Sequence, residues 1–265
     1  MMINYITWNV DPEIVNIFGL LSIRWYGLLF AMSFLAGYYI FTKFFKKEGI
    51  PMEVLDKLTL YMFLGTLIGA RLGHCLFYEP DFYLSNPIEI LKVWRGGLAS
   101  HGAAIGILIA LYLFSRKTKY HMVWIFDRIS IVVALAGFFI RMGNLFNSEI
   151  YGIQTDLPWG FIFVRAGETM PKHPTQIYEA LAYLIIFLIL IWIYYRNQGK
   201  FYAGFAFALF MIMIFTARFF IEFIKENQVP FEETMSLNMG QLLSIPFVLL
   251  GVVSLIFSLR VKKIR

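Results

Sequence analysis

Seven long apolar stretches divide this chain of 265 residues, and each is close to the length of about 20 residues that a helix needs to cross a lipid bilayer. They lie at about residues 16–42, 55–78, 98–115, 124–142, 177–195, 201–224 and 238–259. Charged residues make up 15% of the chain, whereas a soluble domain has roughly 25%. The sequence therefore predicts an all-α integral membrane protein with seven transmembrane helices, in a single domain that covers residues 1–265.

The distribution of lysine and arginine between these stretches predicts the orientation. The connections after the first, third and fifth stretches, together with the C-terminal tail, contain Lys43, Lys46, Lys47, Lys57, Arg116, Lys117, Lys119, Arg196, Lys200, Arg260, Lys262, Lys263 and Arg265. The other connections contain only Lys92, Arg95, Arg165, Lys172 and Lys225. Because cytoplasmic loops are enriched in these cations, the pattern predicts an outer N-terminus and a cytoplasmic C-terminus. The long connections at residues 79–97 and 143–176 are then expected to cap the outer face.

Several arginines fall inside or at the edge of the predicted spans, where a charge is expensive and usually serves a function. Arg24, Arg71, Arg141 and Arg218 lie toward the outer end of four different spans, and His101 opens the third span on the same side. Snorkelling alone would distribute such residues over both faces of the membrane. The sequence therefore predicts a polar site at the outer leaflet.

The richest polar segment follows the fourth span. Within residues 141–152, it contains a cation, two amides and a carboxylate framed by glycines, at Arg141, Gly143, Asn144, Asn147, Glu149 and Gly152. Residues three positions apart share a helix face, so Arg141 and Asn144 are expected to lie side by side. The alternative is an ordinary helix end whose arginine snorkels into the lipid head groups.

Two histidine segments are further candidates. His101 is preceded by Gly96 and Gly97 and followed by Gly102, which leaves room for a ligand beside an imidazole suited to proton transfer near neutral pH. The alternative is an interfacial histidine bonded to the backbone. The run from His173 to Glu179 contains a Pro-Thr helix entry, for which helix capping is the competing interpretation.

Other kinds of site find little support in the sequence. There is no phosphate-binding Walker loop, no GxSxG motif and no HExxH motif, and the four histidines do not group into a metal site. Cys75, the single cysteine, lies in an apolar run and is expected to be a core residue. The cations form no stripe for nucleic acid, so neither a nucleic-acid partner nor a cofactor is expected. The alternative functions that remain are a transporter or channel, a lipid-binding scaffold, and another lipid transferase such as an acyltransferase.

The spacing of the segment at residues 141–152 resembles the signature of the prolipoprotein diacylglyceryl transferases. One position departs from the family pattern, because Ile140 stands where the family usually has glycine before the arginine. The resemblance extends over most of the chain: further matching segments are Ile23–Gly27, Gly69–Gly73, Gly96–Gly102, Asp156–Gly160, His173–Glu179 and Arg218–Glu222. The family also has seven spans with an outer N-terminus, as the charge distribution predicts.

The resemblance implies a defined reaction and location. The diacylglyceryl group of phosphatidylglycerol is transferred to the lipobox cysteine thiol of a preprolipoprotein, which forms a thioether and releases glycerol phosphate in the first step of bacterial lipoprotein maturation. The expected partners are phosphatidylglycerol, preprolipoprotein signal peptides and the bilayer. The enzyme is expected in the bacterial cytoplasmic membrane, with its active site toward the outer leaflet.

Specific residues can be assigned to this chemistry. A thiol attacks as the thiolate, so a positioned base helps, and His101 is the predicted base. Guanidinium groups bind phosphate in a bidentate manner, so Arg141 and Arg218 are predicted to hold the leaving phosphate as catalytic residues. The predicted substrate-binding residues are Tyr26, Arg71, Asn144, Asn147, Glu149, Gly152, His173 and Glu222.

Overall fold

A computed structural model describes residues 5–17, 21–93, 96–200, 202–227, 232 and 234–260, most of them helical. The helices are α1 (Trp25–Glu48), α2 (Met52–Phe77), α3 (Pro80–Ser85), α4 (Pro87–Ile90), α5 (Ser100–Lys117), α6 (Met122–Phe146), α7 (Thr175–Arg196), α8 (Phe205–Ile221) and α9 (Met239–Arg260). The strands are β1 (Ile6–Trp8), β2 (Glu13–Ile17), β3 (Leu21–Arg24) and β4 (Phe161–Phe163). Short 3₁₀ turns at Val164–Ala166 and Glu222–Ile224 complete the described elements.

Six of the described helices are long and apolar enough to cross a membrane. They are α1, α2, α6, α7, α8 together with its 3₁₀ turn, and α9. The helical membrane protein expected from the sequence is therefore confirmed in its coarse form. The third predicted span corresponds to α5, a helix of 18 residues that is not among the six. The seven-span count and the orientation stay predictions.

The first predicted span begins too early. The sequence places its start near residue 16, whereas α1 begins at Trp25, and residues before it form the antiparallel pair β2–β3. Arg24 therefore lies in a strand, where its Nη2 is 3.4 Å from Glu13 Oε1. The β-branched residues Ile14, Val15 and Ile23 favour this extended structure, which an apolar count alone does not distinguish from a helix.

The chain divides into two compact units, one of Met1–Ile40 with Phe126–Arg265 and the other of Phe41–Ile125. In the second unit, α2 packs closely against α5 because glycines face each other. A Cβ on Gly106 would lie 2.1 Å from Gly65 O, and one on Gly102 would lie 2.2 Å from Gly69 O. Small residues permit this close backbone approach between membrane helices.

In the first unit, the segment after α6 folds back over the end of that helix. β1 pairs in parallel with β4, and Trp8 Nε1 donates a hydrogen bond of 3.0 Å to Leu145 O. Leu145, Phe161 and Phe163 form a small buried core there. Trp25 at the start of α1 stacks on Phe146 at the end of α6, with ring centroids 4.7 Å apart. These contacts position the polar segment that follows α6.

Candidate active site

The last turns of α6 begin a chain of polar contacts. Arg141 Nη1 donates to Asn144 Oδ1 at 3.1 Å, and Asn144 Nδ2 donates to Glu149 Oε1 at 2.8 Å. Asn147 Nδ2 donates to the same Glu149 oxygen at 3.2 Å. The predicted proximity of Arg141 and Asn144 is thus confirmed. The Glu149 carboxylate accepts hydrogen bonds from both asparagine side chains. Oδ1 of Asn147 is buried and accepts no hydrogen bond from the described residues.

The turn that carries Glu149 has an uncommon backbone. Ser148 and Ile150 have φ angles of 54° and 61°, which L-residues rarely adopt and which are strained for a β-branched side chain. Two side chains from the start of α7 hold this turn. Thr175 Oγ1 donates to Ile150 O at 3.0 Å, and Gln176 Nε2 donates to Glu149 O at 2.7 Å. Such strain persists where surrounding contacts over-determine it, often at a functional site.

A buried ion cluster continues from Arg141. Arg141 Nε lies 2.8 Å from Glu179 Oε2, and Lys225 Nζ lies 3.3 Å from Glu179 Oε1. The same ammonium lies 3.2 Å from Glu222 Oε1, which is 3.3 Å from Arg218 Nη2. We call Arg141, Glu179, Lys225, Glu222 and Arg218 the ion cluster.

The ion cluster has three cations and two carboxylates, so it carries a surplus of one positive charge. The side chain of Glu179 is fully buried, those of Lys225 and Glu222 are nearly so, and that of Arg218 is 33% exposed. Burying a charge costs several kcal/mol, and this cost is offset only where partners are well placed. The surplus cation and the partly exposed guanidinium make the cluster suited to binding one anionic group.

Gly152 lets two backbone segments meet at this cluster. It forms an isolated antiparallel bridge with Lys225, and a Cβ on it would lie 2.2 Å from Ile224 O. Its N–H donates to His173 O at 2.8 Å. Any side chain at this position would force the loop away from Lys225. Gly152 therefore acts through backbone geometry.

Glu222 is held from the other side by the start of α9. Asn238 Nδ2 donates to Glu222 Oε2 at 3.3 Å and to Glu222 O at 3.1 Å. A Cβ on Gly240 would lie 2.3 Å from Glu222 Cδ, so α9 approaches the carboxylate closely. Both oxygens of Glu222 are therefore engaged within the protein.

Tyr26 lies in the first turn of α1 and packs on α6. A Cβ on Gly143 would lie 2.7 Å from Tyr26 Cδ2, so the glycine makes room for the phenol ring. Two residues before Tyr26, the chain leaves the β2–β3 pair, and Trp25 fixes the helix start by stacking on Phe146. The first unit thus brings Tyr26 next to the segment that carries Asn144.

His173 belongs to a small aromatic group. Its Nδ1 lies 3.3 Å from Tyr178 Oη, which accepts a hydrogen bond of 2.9 Å from Trp159 Nε1. Burial lowers the pKa of His173 below its ordinary value, so the folded protein favours the neutral imidazole.

Arg71 and His101 belong to the second unit. Arg71 is buried, and its guanidinium donates to four backbone carbonyls: Nε to Ile90 O at 2.9 Å, Nη1 to Gly96 O at 2.6 Å and Gly97 O at 3.2 Å, and Nη2 to Glu89 O at 2.5 Å. Its Cζ also lies 4.9 Å from the centroid of the Tyr83 ring. Arg71 therefore organises the described part of the connection between α2 and α5.

His101 lies in the first turn of α5 and is exposed. Ala99, the residue before the helix, donates its N–H to Ala70 O at 2.9 Å, and Gly102 packs against Gly69 and Gly73 of α2. The imidazole is thus presented at a firmly packed helix start. No group of three or more histidine, cysteine or acidic residues suitable for a metal ion occurs in the described part of the chain.

A comparison with known families decides the class of protein. The model of a family described as prolipoprotein diacylglyceryl transferase matches residues 12–257. The chain belongs to this family.

Individual relatives agree with the family match. A phosphatidylglycerol–prolipoprotein diacylglyceryl transferase of Tolumonas auensis is 47% identical over 256 residues, which cover 96% of this chain and 98% of the relative. Proteins of the same name from Chloroherpeton thalassium and Bacteroides fragilis are 45% and 44% identical, and the alignments cover 97% and 98% of this chain and 96% and 98% of the relatives. The family predicted from the sequence motifs is confirmed.

The structure of this diacylglyceryl transferase family member groups most of the predicted site residues in the first unit. Contacts join Arg141, Asn144, Asn147 and Glu149, and they join Arg218 with Glu222. The sequence interpretation missed Glu179 and Lys225, which connect these two groups. The run from His173 to Glu179 gave a signal for Glu179, since it includes the residue, whereas Lys225 entered only as a loop cation.

Proposed function

We propose that this protein transfers the diacylglyceryl group of phosphatidylglycerol to the lipobox cysteine thiol of a preprolipoprotein, as the catalytic step of a transferase active in lipoprotein maturation. The names of the relatives describe a transferase that joins these two kinds of substrate. The observation that carries the assignment to this site is the ion cluster, because its surplus positive charge fits the single negative charge of a phosphodiester.

The reaction forms one bond and breaks one. The thiolate sulfur attacks the terminal glycerol carbon of the diacylglyceryl group that bears the phosphate ester. The C–S bond forms while the C–O bond breaks, and glycerol phosphate leaves with the bonding electron pair. The thiol proton goes to a base, for which we propose His101, an exposed imidazole at a helix start.

Arg141 and Arg218 would hold the phosphate of the leaving group. As the C–O bond breaks, a second negative charge develops on that phosphate, so oriented guanidinium groups stabilise the transition state more than the bound lipid. The ion pairs with Glu179 and Glu222 fix the two guanidinium groups before the lipid arrives. Such preorganisation avoids reorientation during the reaction.

The remaining predicted residues are assigned supporting roles. Asn147 is suited to bind a head-group hydroxyl, because its buried Oδ1 lacks a donor among the described residues. Asn144 would orient Arg141, and Glu149 would orient Asn147. The hydroxyl of Tyr26 would donate a hydrogen bond near the glycerol of the lipid. For His173 we propose a contact at the edge of the site, and for Arg71 a structural role, in which it holds the backbone of the connection between α2 and α5.

We further propose that the whole chain forms one catalytic domain with seven spans, α5 being the additional one. The cation distribution supports an outer N-terminus and a site that faces the outer leaflet of the bacterial cytoplasmic membrane. Phosphatidylglycerol would then reach the site from within the bilayer. The lipobox cysteine of a translocated signal peptide would approach it from the same leaflet.

A reconstitution assay tests this function. The purified protein is placed in vesicles that contain phosphatidylglycerol and is incubated with a synthetic lipobox peptide, whose mass is then measured. The expected product is a peptide heavier by one diacylglyceryl group in thioether linkage. A peptide with serine in place of the lipobox cysteine, and vesicles of phosphatidylethanolamine alone, serve as controls. An unmodified peptide with a folded protein would contradict the proposal.

A further inference from the structure

A buried lysine joins the two arginines of the proposed site. Lys225 follows the 3₁₀ turn at the end of α8, and its side chain is only 3% exposed. Its Nζ lies 3.3 Å from Glu179 Oε1 and 3.2 Å from Glu222 Oε1. Each of these carboxylates has a different arginine as its other partner. The lysine is therefore the shared centre of two ion pairs that come from different helices.

The backbone around Lys225 is built to hold it there. Lys225 bridges Gly152, Ile153 N–H donates to Ile224 O at 3.0 Å, and Glu226 N–H donates to Tyr151 O at 3.3 Å. These contacts lie on the strained loop that also carries Glu149. The absence of a Cβ at Gly152 is what lets this loop reach the lysine.

From this geometry we propose that Lys225 is a positioning residue, whose ammonium fixes the two carboxylates that orient the reaction's two arginines. The inference rests on the proposed function, since it concerns the same site. Without the ammonium, the two buried carboxylates would be left with one cation each and with no link between them. The ion cluster would also lose its surplus positive charge, so the second negative charge that develops on the leaving phosphate would be stabilised less and in less uniform geometry.

The experiment uses the full chain in vesicles of phosphatidylglycerol with the lipobox peptide. Lys225→Met keeps the length of the side chain and removes its charge, and Lys225→Arg keeps the charge. We expect Lys225→Met to lower turnover per folded molecule by about 10-fold or more, because small misplacements of positioned groups have large kinetic effects. Lys225→Arg is expected to restore most of the turnover. The loss should fall on kcat more than on KM, since the arginines act most strongly on the departing phosphate.

Lys172 provides a matched control. It also bridges two acidic residues, Glu168 and Glu226, in the same unit, and neither of them belongs to the ion cluster. Lys172→Met removes a comparable bridge, so it is expected to lower the unfolding midpoint while leaving turnover per folded molecule near that of the unsubstituted protein. Equal kinetic losses in the two methionine variants would reduce Lys225 to a structural residue and overturn the proposal.

A double-substitution cycle keeps the test decisive if Lys225→Met folds poorly. Glu179→Gln removes one half of the bridge, and Lys225→Gln removes the same charge as Lys225→Met but keeps a polar end that can donate a hydrogen bond. Because the two side chains act through one contact, their combined effect is expected to be smaller than the product of the single effects. Fully multiplicative effects, or normal kinetics in the single variants, would contradict the proposal. Absence of any peptide adduct with the unsubstituted protein would instead contradict the proposed function.

Discussion

Arg71 and Arg141 look alike in the sequence, since both are arginines near the outer end of an apolar stretch, yet the structure gives them different partners. Arg71 donates to backbone carbonyls of the connection that follows its own helix. Arg141 contacts side chains that are themselves ionised or polar, Glu179 and Asn144. The first arginine stabilises a loop, whereas the second belongs to a charged network with a partly exposed end at Arg218. We propose that the kind of partner, rather than burial, distinguishes an arginine that stabilises the fold, such as Arg71, from one that serves the site, such as Arg141.

The sharpest test of this distinction is Arg141→Lys. A lysine keeps the charge, but its single ammonium cannot hold Glu179 and Asn144 while also presenting a planar pair of donors to a phosphate. We expect turnover to fall by about 100-fold or more, the usual effect of losing one oriented donor for a developing anion. The measurement is peptide modification per folded molecule. Near-normal turnover would remove Arg141 from the phosphate site.

Gly152→Ala disturbs the same network through the backbone. The added Cβ would lie 2.2 Å from Ile224 O, so the loop must move and the bridge to Lys225 must open. Because a shift of about 1 Å displaces positioned groups, we expect turnover to fall by about 10-fold to 100-fold. The variant's kinetics are compared with its unfolding midpoint. A loss of stability with unchanged turnover per folded molecule would show that the position of this loop does not affect the reaction.

Arg71→Lys should give the opposite pattern. Several carbonyls of the loop backbone would lose their donors, and hydrogen bonds to a charged group contribute about 1.5–3 kcal/mol each. We expect a lower free energy of unfolding, by about 2 kcal/mol or more, with little change in turnover per folded molecule. Chemical denaturation in detergent measures the stability. A kinetic loss as large as that of Arg141→Lys would return Arg71 to the substrate-binding set predicted from the sequence.

The smallest effect concerns His173, which belongs to the first unit. Burial lowers its pKa in the folded protein, so the folded state favours the neutral imidazole. The stability from this preference is present above the ordinary histidine pKa and is lost as the pH falls through the lowered value. Between pH 7.5 and about pH 5, the unfolding midpoint should fall by about 1–2 °C more in the unsubstituted protein than in His173→Gln. If the unfolding midpoints of the two proteins depended on pH in the same way, a group other than His173 would be responsible for the pH dependence.

Much of the architecture was predictable because the length of an apolar stretch indicates a membrane helix directly. α6 and α7 extend the fourth and fifth predicted spans by a few residues at either end. The predicted start of the first span was wrong because the β2–β3 pair before α1 contains β-branched residues and is as apolar as a helix. α5 remains ambiguous for a related reason, since its glycines, polar first turn and basic last turn reduce its apolar character.

The site was predictable only in part, for a different physical reason. Arg141 and Asn144 are three residues apart, so helical spacing indicates their contact, and Glu149 follows them within the same short polar segment. Glu179 and Lys225 are far from them along the chain, and nothing in a single sequence indicates that a buried carboxylate and a loop cation share one cluster. The hydrogen-bond partners of Arg71 could not be predicted either, because they are backbone carbonyls, which every residue has whatever its side chain.

The most direct test of the account is the mass of a lipobox peptide after incubation in phosphatidylglycerol vesicles with three proteins: the unsubstituted chain, Arg141→Lys and Arg71→Lys. With equal amounts of folded protein, the account predicts a peptide heavier by one diacylglyceryl group with the first and third proteins and almost none with Arg141→Lys. No adduct with the unsubstituted chain would contradict the proposed function. Equal adduct from Arg141→Lys would contradict the role of the ion cluster in holding the lipid phosphate.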